Sequence, residues 1–179
     1  IIIYLRRWYI NLFMPCKKID EIPGGKNIYF SMNLEPEGNI SYWGRGYYSG
    51  QISIIKNIAR ILPNEYNLIV KDHPAKWGNR KLNDYRELME CPNIVFLHPD
   101  INSSDIIDKV DIVICIYGSV TLETIAKGKQ CIQLGKHFYN QSSNVHYVNS
   151  LSSLLNKIKQ CSNEEIKPDF SFIKMLYSA

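Results

Sequence analysis

The chain has 179 residues, a formal net charge of +4 and 45% apolar residues. At roughly 100–200 residues per domain this is one globular domain with a short appendage, and the composition excludes disorder, a coiled coil and a disulfide miniprotein. The excess of 21 Lys+Arg over 17 Asp+Glu is small and scattered, which argues against a nucleic-acid partner, and no apolar run reaches the roughly 18 residues of a bilayer-spanning helix. A cleft enzyme built from two full Rossmann-like units would need about twice this length.

The opening segment is apolar first and basic afterwards, at Arg6 and Arg7, the reverse of a signal peptide. It reads as a packing helix from a preceding domain, so the chain is expected to begin inside a longer protein. The rival reading lays Arg6, Arg7, Trp8 and Tyr9 on a membrane surface. Residues 15–27, with Pro15, Pro23, Gly24 and Gly25, read as a linker.

From there two kinds of segment alternate. Strands are expected at Asn27–Met32, Tyr66–Lys71, Asn93–Leu97, Asp111–Ile116 and Gln130–Leu134. Helices are expected at Tyr47–Leu62, Leu82–Met89, from Ser103 or Ser104 to Lys109, Ser119–Lys127 and Ser150–Gln160, with a last one at Phe170–Tyr177. In the first of these helices Ile52, Ile55, Ile58, Ala59 and Leu62 fall on one stripe. Asp111–Ile116 is a continuous apolar run, as in a strand covered on both faces. Strand–helix alternation with short connections predicts an α/β fold. It would be a Rossmann-like three-layer α/β/α domain with a mainly parallel sheet of five to six strands. The expected division is 1–26 as helix and linker, 27–165 as the α/β domain and 166–179 as tail or helix. The five cysteines are odd in number and lack CxxC spacing, which speaks against disulfides and zinc and for a reduced cytoplasmic setting.

In such a sheet, ligands bind beyond the carboxyl ends of the strands. The residues expected there are polar. Gly118 and Ser119 open a helix directly after a buried strand, where an anion is favoured, although the pair reads equally as a plain N-cap. Glu123 stands four residues into that helix, as an acceptor for ribose hydroxyls or as a first-turn acid. His73, ahead of Pro74 and beside Lys71, could donate to a phosphate or shuttle a proton. His98-Pro99 repeats the dipeptide, and sequence position favours His73. Glu35-Pro36-Glu37 sets two carboxylates beyond the first strand. Tyr42 to Tyr48 is aromatic enough to stack on a sugar or base, or to form a lid.

Taken together, Glu35-Pro36-Glu37, Val70-Lys71-Asp72-His73-Pro74, Gly118-Ser119-Val120-Thr121-Leu122-Glu123 and Leu134-Gly135-Lys136-His137-Phe138-Tyr139 resemble the bacterial capsule polysaccharide biosynthesis proteins. That family includes β-Kdo transferases, and the resemblance covers about residues 27–140. It implies the C-terminal, donor-binding half of a GT-B glycosyltransferase, acting on a glycan or glycolipid acceptor bound by an N-terminal domain. The implied donor is a nucleotide sugar, CMP-activated ulosonic acid in preference to a UDP-sugar, with no cofactor or metal required. The implied catalytic residues are Glu37 and His73. Lys71, His73, Pro74, Gly118, Ser119, Thr121 and Glu123 would hold the donor's phosphate and nucleotide. The implied location is cytoplasmic, including the inner face of the membrane. Two residues depart from the family pattern: Glu35 stands where a Gln is usual and Thr124 where an Ala is frequent. Two other readings compete, a UDP-sugar epimerase-like enzyme and a non-catalytic assembly module.

Overall fold

A computed structural model describes residues 2–34, 50–164 and 166–178. After helix α1 (Ile2–Phe13) and a 3-10 turn at Ile19–Glu21 come β1 (Lys26–Ser31), α2 (Gln51–Ile61), β2 (Tyr66–Lys71), α3 (Leu82–Met89) and β3 (Ile94–Leu97). Then follow α4 (Ser103–Asp108), β4 (Ile112–Cys115), α5 (Val120–Ala126), β5 (Gln130–Gln133), a 3-10 turn (Phe138–Gln141), β6 (Val145–Tyr147), α6 (Leu151–Cys161) and α7 (Phe170–Ser178). The six strands form one sheet in the order β3-β2-β1-β4-β5-β6, and every pairing is parallel. The Rossmann-like three-layer fold expected from the alternation is therefore what forms.

The strands alternate their side chains between two cores. Ile28, Phe30, Leu68, Val70, Ile112, Ile114 and Ile132 face one layer, where they meet Ile10 of α1 and Met14 just after it, Ile55 and Ile58 of α2, Tyr85 and Leu88 of α3, and Leu154 and Ile158 of α6. Tyr29, Ile69, Val113, Cys115 and Cys131 face the other, with Ile106 and Ile107 of α4, Val120 and Ile125 of α5 and Phe172 of α7. All four residues of β4 are buried, which explains its unbroken apolar run.

The structure refines several boundaries. The stretch read as a linker is tied to the sheet: Lys17 N–H donates to Phe96 O at 2.9 Å, and His98 N–H donates to Lys17 O at 3.3 Å. β6 was not among the expected strands. Its Val-His-Tyr core is too short for a period to show, and its place is set by pairing, with Cys131 N–H donating to Asn144 O at 2.8 Å. The cap of α4 is Asn102, whose side chain accepts from Ser104 N–H, and not a serine. Gly128 ends α5. Its φ of +65° suits glycine, and a Cβ there would lie 2.8 Å from Pro168 Cδ.

Candidate functional site

The strand order reverses direction between β1 and β4, and a crevice opens at that switch point beyond the carboxyl ends of the strands. An open cleft of about 660 Å³ occupies it. Its walls are Ser31–Leu34 after β1, Lys71–Pro74 after β2, Pro99–Ser103 after β3, and Tyr117–Val120 with Glu123 after β4. Of the residues expected to form the site, Lys71, His73, Pro74, Gly118, Ser119 and Glu123 line this one cleft. Glu37 lies outside the described residues, as do Glu35, Pro36 and the aromatic segment Tyr42–Tyr48.

Thr121 does not belong with them. It is fully buried behind the cleft, where its hydroxyl accepts from Gln133 Nε2 at 2.9 Å and lies 3.5 Å from Cys115 Sγ. In the first turn of α5 its side chain packs onto Cys115 and Gln133, the last residues of β4 and β5, underneath the helix. Gly135, Lys136 and His137, which follow β5, are also absent from the cleft walls; His137 packs instead against the rings of Phe138, Tyr139 and Tyr117.

His73 is exposed on the rim. Its Nδ1 accepts the N–H of Ala75 at 3.2 Å, so the neutral ring carries its proton on Nε2 and presents that atom as a donor. The second dipeptide repeats the geometry: His98 Nδ1 accepts from Asp100 N–H at 3.3 Å. His98, however, stands edge-on to Trp77 and outside the cleft walls. Lys71 is buried at the cleft base, where its Nζ donates to Ile101 O at 3.0 Å. Desolvation lowers its pKa, and the charges of Glu123, Asp100 and Asp72 work against that. Glu123 and Lys71 line the same cleft. Nearby, Tyr29 OH and Ser103 Oγ share a hydrogen bond of 3.3 Å, and burial pushes the Tyr29 phenol up to about 12.

At Gly118 φ is +141°, a conformation that favours glycine, and an added Cβ would sit 3.6 Å from Asn33 Nδ2. The N–H groups of Thr121, Leu122 and Glu123 bond back to the carbonyls of Gly118 and Ser119. Those three amides therefore do not face a ligand, and α5 is only seven residues long. The anion-binding power expected of this helix start is correspondingly reduced.

The most elaborate part of the site was not legible in the sequence. Asp72 is fully buried directly before His73. It accepts from Tyr85 OH at 2.6 Å, from His73 N–H at 2.8 Å and from Arg80 Nε at 3.1 Å. Arg80, 6% exposed at its side chain, also donates to Asn33 O at 3.1 Å. Asn33 in turn donates from Nδ2 to Tyr117 O at 2.7 Å, across the switch point. A chain of polar contacts thus joins the ends of β1, β2 and β4 and fixes the backbone of the His73 turn. Reading the sequence, Asp72 and Arg80 are two surface-type residues; only their placement makes them a buried pair. Among the described residues no group of three or more His, Cys, Asp or Glu is placed to hold a metal, and no helix is long and apolar enough to cross a membrane.

Several solved structures share this fold. A Thermosulfurimonas dismutans protein, KpsC, a beta Kdo 2,7 transferase, is 19% identical with a TM-score of 0.56 over 82% of this chain and 46% of its own. Anabaena Alr3699/HepE, solved in complex with UDP-glucose, is 14% identical with a TM-score of 0.51 over 89% of this chain and 43% of its own. A Listeria monocytogenes protein assigned as a UDP-N-acetylglucosamine 2-epimerase is 13% identical with a TM-score of 0.54 over 90% of this chain and 46% of its own. The chain spans less than half the length of each. No curated protein sequence matches it significantly. Residues 42–157 match the sequence profile of the capsule polysaccharide biosynthesis proteins, which is well over half of the chain, and the protein accordingly belongs to that family.

Proposed function

We propose that this chain is the nucleotide-sugar-binding part of a glycosyltransferase that acts in capsule polysaccharide synthesis. The observation that carries the reading is the convergence of Lys71, His73, Ser119 and Glu123 on one switch-point cleft in a member of this family. In this reading the donor's phosphate lies between His73 and Lys71. His73 Nε2–H donates to a phosphate oxygen, and the Lys71 ammonium, with one proton committed to Ile101 O, neutralises the charge that builds as the glycosidic bond breaks. Glu123 accepts from the ribose hydroxyls. The sugar centre passes through an oxocarbenium-like state, and Glu37 serves as the acid or base for the acceptor. The donor we favour is a CMP-activated ulosonic acid, and the acceptor, a glycan or glycolipid, is bound by a further domain.

The second reading, a UDP-sugar epimerase-like enzyme, is favoured by one observation: two of the solved structures named above carry UDP-sugars in their descriptions. Isothermal titration with CMP, UDP and their sugars tests both. CMP binding that exceeds UDP binding supports the transferase. Tight UDP binding with none for CMP supports the epimerase-like enzyme. The absence of binding by any nucleotide sinks both in favour of an assembly module.

A further inference from the structure

Helix α1 has two apolar faces. Ile10, and Met14 directly after the helix, are buried in the core. On the opposite side Tyr4, Leu5, Trp8, Tyr9, Leu12 and Phe13 recur at helical spacing and form one stripe, and each is 47% to 72% exposed. Isolated exposed hydrophobes are ordinary, but a contiguous stripe of six marks a surface that meets something apolar.

The chemistry beside the stripe identifies the occupant. Arg7 fastens α1 to the segment after β2: its Nε donates to Trp77 O at 2.8 Å and its Nη2 to Pro74 O at 3.0 Å, while Trp77 Nε1 donates to Asn11 Oδ1 at 2.8 Å. The two segments joined in this way, residues 2–19 and 73–83, hold seven of the 21 basic residues and none of the 17 acidic ones. Arg6, Lys18, Lys76 and Lys81 are among the seven. Between the segments lies a second cleft of about 430 Å³, walled by Arg6, Tyr9 and Ile10 on one side and by Gly78–Leu82 on the other. Tyr9 therefore belongs both to the apolar stripe and to the basic groove. The acids that flank these segments are engaged: Asp20 with Lys109 at 3.7 Å, Glu21 with Lys17 at 3.1 Å, Asp84 with the backbone N–H of Lys81 at 3.1 Å and Asp72 with Arg80.

We propose that α1 and the 73–83 segment form a docking surface for an anionic phospholipid membrane. Trp8, Tyr9, Leu12 and their neighbours enter the interfacial layer, and lipid phosphates settle in the groove lined by Arg6 and Lys81. Aromatic and leucine side chains flanked by cations are the pattern of an interfacial helix, and an acid-free basic rim suits a negative leaflet. Since Arg7 bonds to Pro74 O, the surface lies next to the His73–Pro74 turn, so the nucleotide cleft would open close to the lipid.

Vesicle flotation of the chain tests this. The expected result is flotation with vesicles of equal parts phosphatidylcholine and phosphatidylglycerol and little with phosphatidylcholine alone. Trp8→Ser with Leu12→Ser should abolish flotation. Arg6→Gln with Lys81→Gln should weaken it by about fivefold per charge. Trp8 and Leu12 lie on the stripe, Arg6 and Lys81 line the groove, and all four are exposed, so the variants should keep wild-type circular dichroism. The proposal is overturned by lack of flotation with either vesicle, or by equal flotation with pure phosphatidylcholine. It is also overturned by a dimer that the Trp8 and Leu12 changes dissociate in light scattering, or by thermal protection from inorganic phosphate without flotation. Nucleotide titration of the same variants keeps this result separate from the function of the cleft.

Discussion

The side chain of Gln51 holds the backbone of Asn33 at two points. Asn33 N–H donates to Gln51 Oε1 at 2.6 Å, and Gln51 Nε2 donates to Asn33 O at 3.0 Å. Gln51 is fully buried at the first turn of α2, so a polar residue spends its hydrogen bonds on the end of β1, at the switch point. Asn33 O has a second donor in Arg80, whereas its N–H donates to Gln51. Replacing Gln51 with Leu should therefore strand one half-buried N–H and destabilise the protein by about 1–3 kcal/mol. Urea denaturation checks this.

The buried Asp72–Arg80 pair makes a larger prediction. Asp72→Ala leaves the Arg80 guanidinium and the Tyr85 hydroxyl without their shared acceptor, and breaking such a pair costs about 3–5 kcal/mol. Tyr85→Phe removes one charge-assisted bond and should cost about 1.5–3 kcal/mol. Burial and the Asp72 carboxylate raise the Tyr85 phenol well above its usual range, so the bond persists throughout the neutral and mildly alkaline range. Equal losses in the two variants would refute the assignment of Asp72 as the centre of the cluster.

The two His-Pro turns separate function from conformation. Both rings accept a local backbone N–H, but only His73 walls the cleft. Under the proposed function, His73→Ala should weaken nucleotide binding about ten- to a hundredfold, the worth of one hydrogen bond to a charged group. His98→Ala should leave affinity unchanged. Calorimetry that finds the reverse order would place the phosphate elsewhere.

Thr121→Val tests the position of α5. The hydroxyl serves Gln133 in the core, so its loss should cost about 1–3 kcal/mol of stability and leave nucleotide affinity untouched. A loss of affinity with unchanged stability would return Thr121 to the site.

Stability should also fall on mild acidification. His146 and His137 both have pKa values lowered by burial, with Lys157 adding to the effect at His146. A histidine depressed in the folded state binds fewer protons there than in the unfolded chain. Stability is then complete above the unfolded value of about 6.5 and declines as the pH drops from there towards the folded values. A melting temperature that is flat between about pH 7 and pH 5, or a His146→Gln variant with an unchanged slope, would contradict this.

Period and punctuation sufficed for the frame. The Ile55, Ile58, Ala59 and Leu62 stripe and the apolar run of β4 are local patterns that burial then imposes, and Gly128 stops its helix through a backbone conformation that few other residues tolerate. The gathering of Lys71, His73, Ser119 and Glu123 was also legible, since each follows a strand and parallel strands end on one edge. What sequence could not decide is which polar residues turn inward. Asp72, Arg80, Gln51 and Asn33 look like surface residues in the chain. They become a network because the order β3-β2-β1-β4 joins the short-range Asp72–Arg80 pair, 8 positions apart, to partners 18 to 84 positions apart. Thr121 shows the converse: its place in a site motif was plain, but the rotation of α5 over β4 and β5 sends it into the core. Hydrophobic period is written locally and survives without a fold. Polar pairing is non-local, and only the assembled sheet gives each buried group its partner.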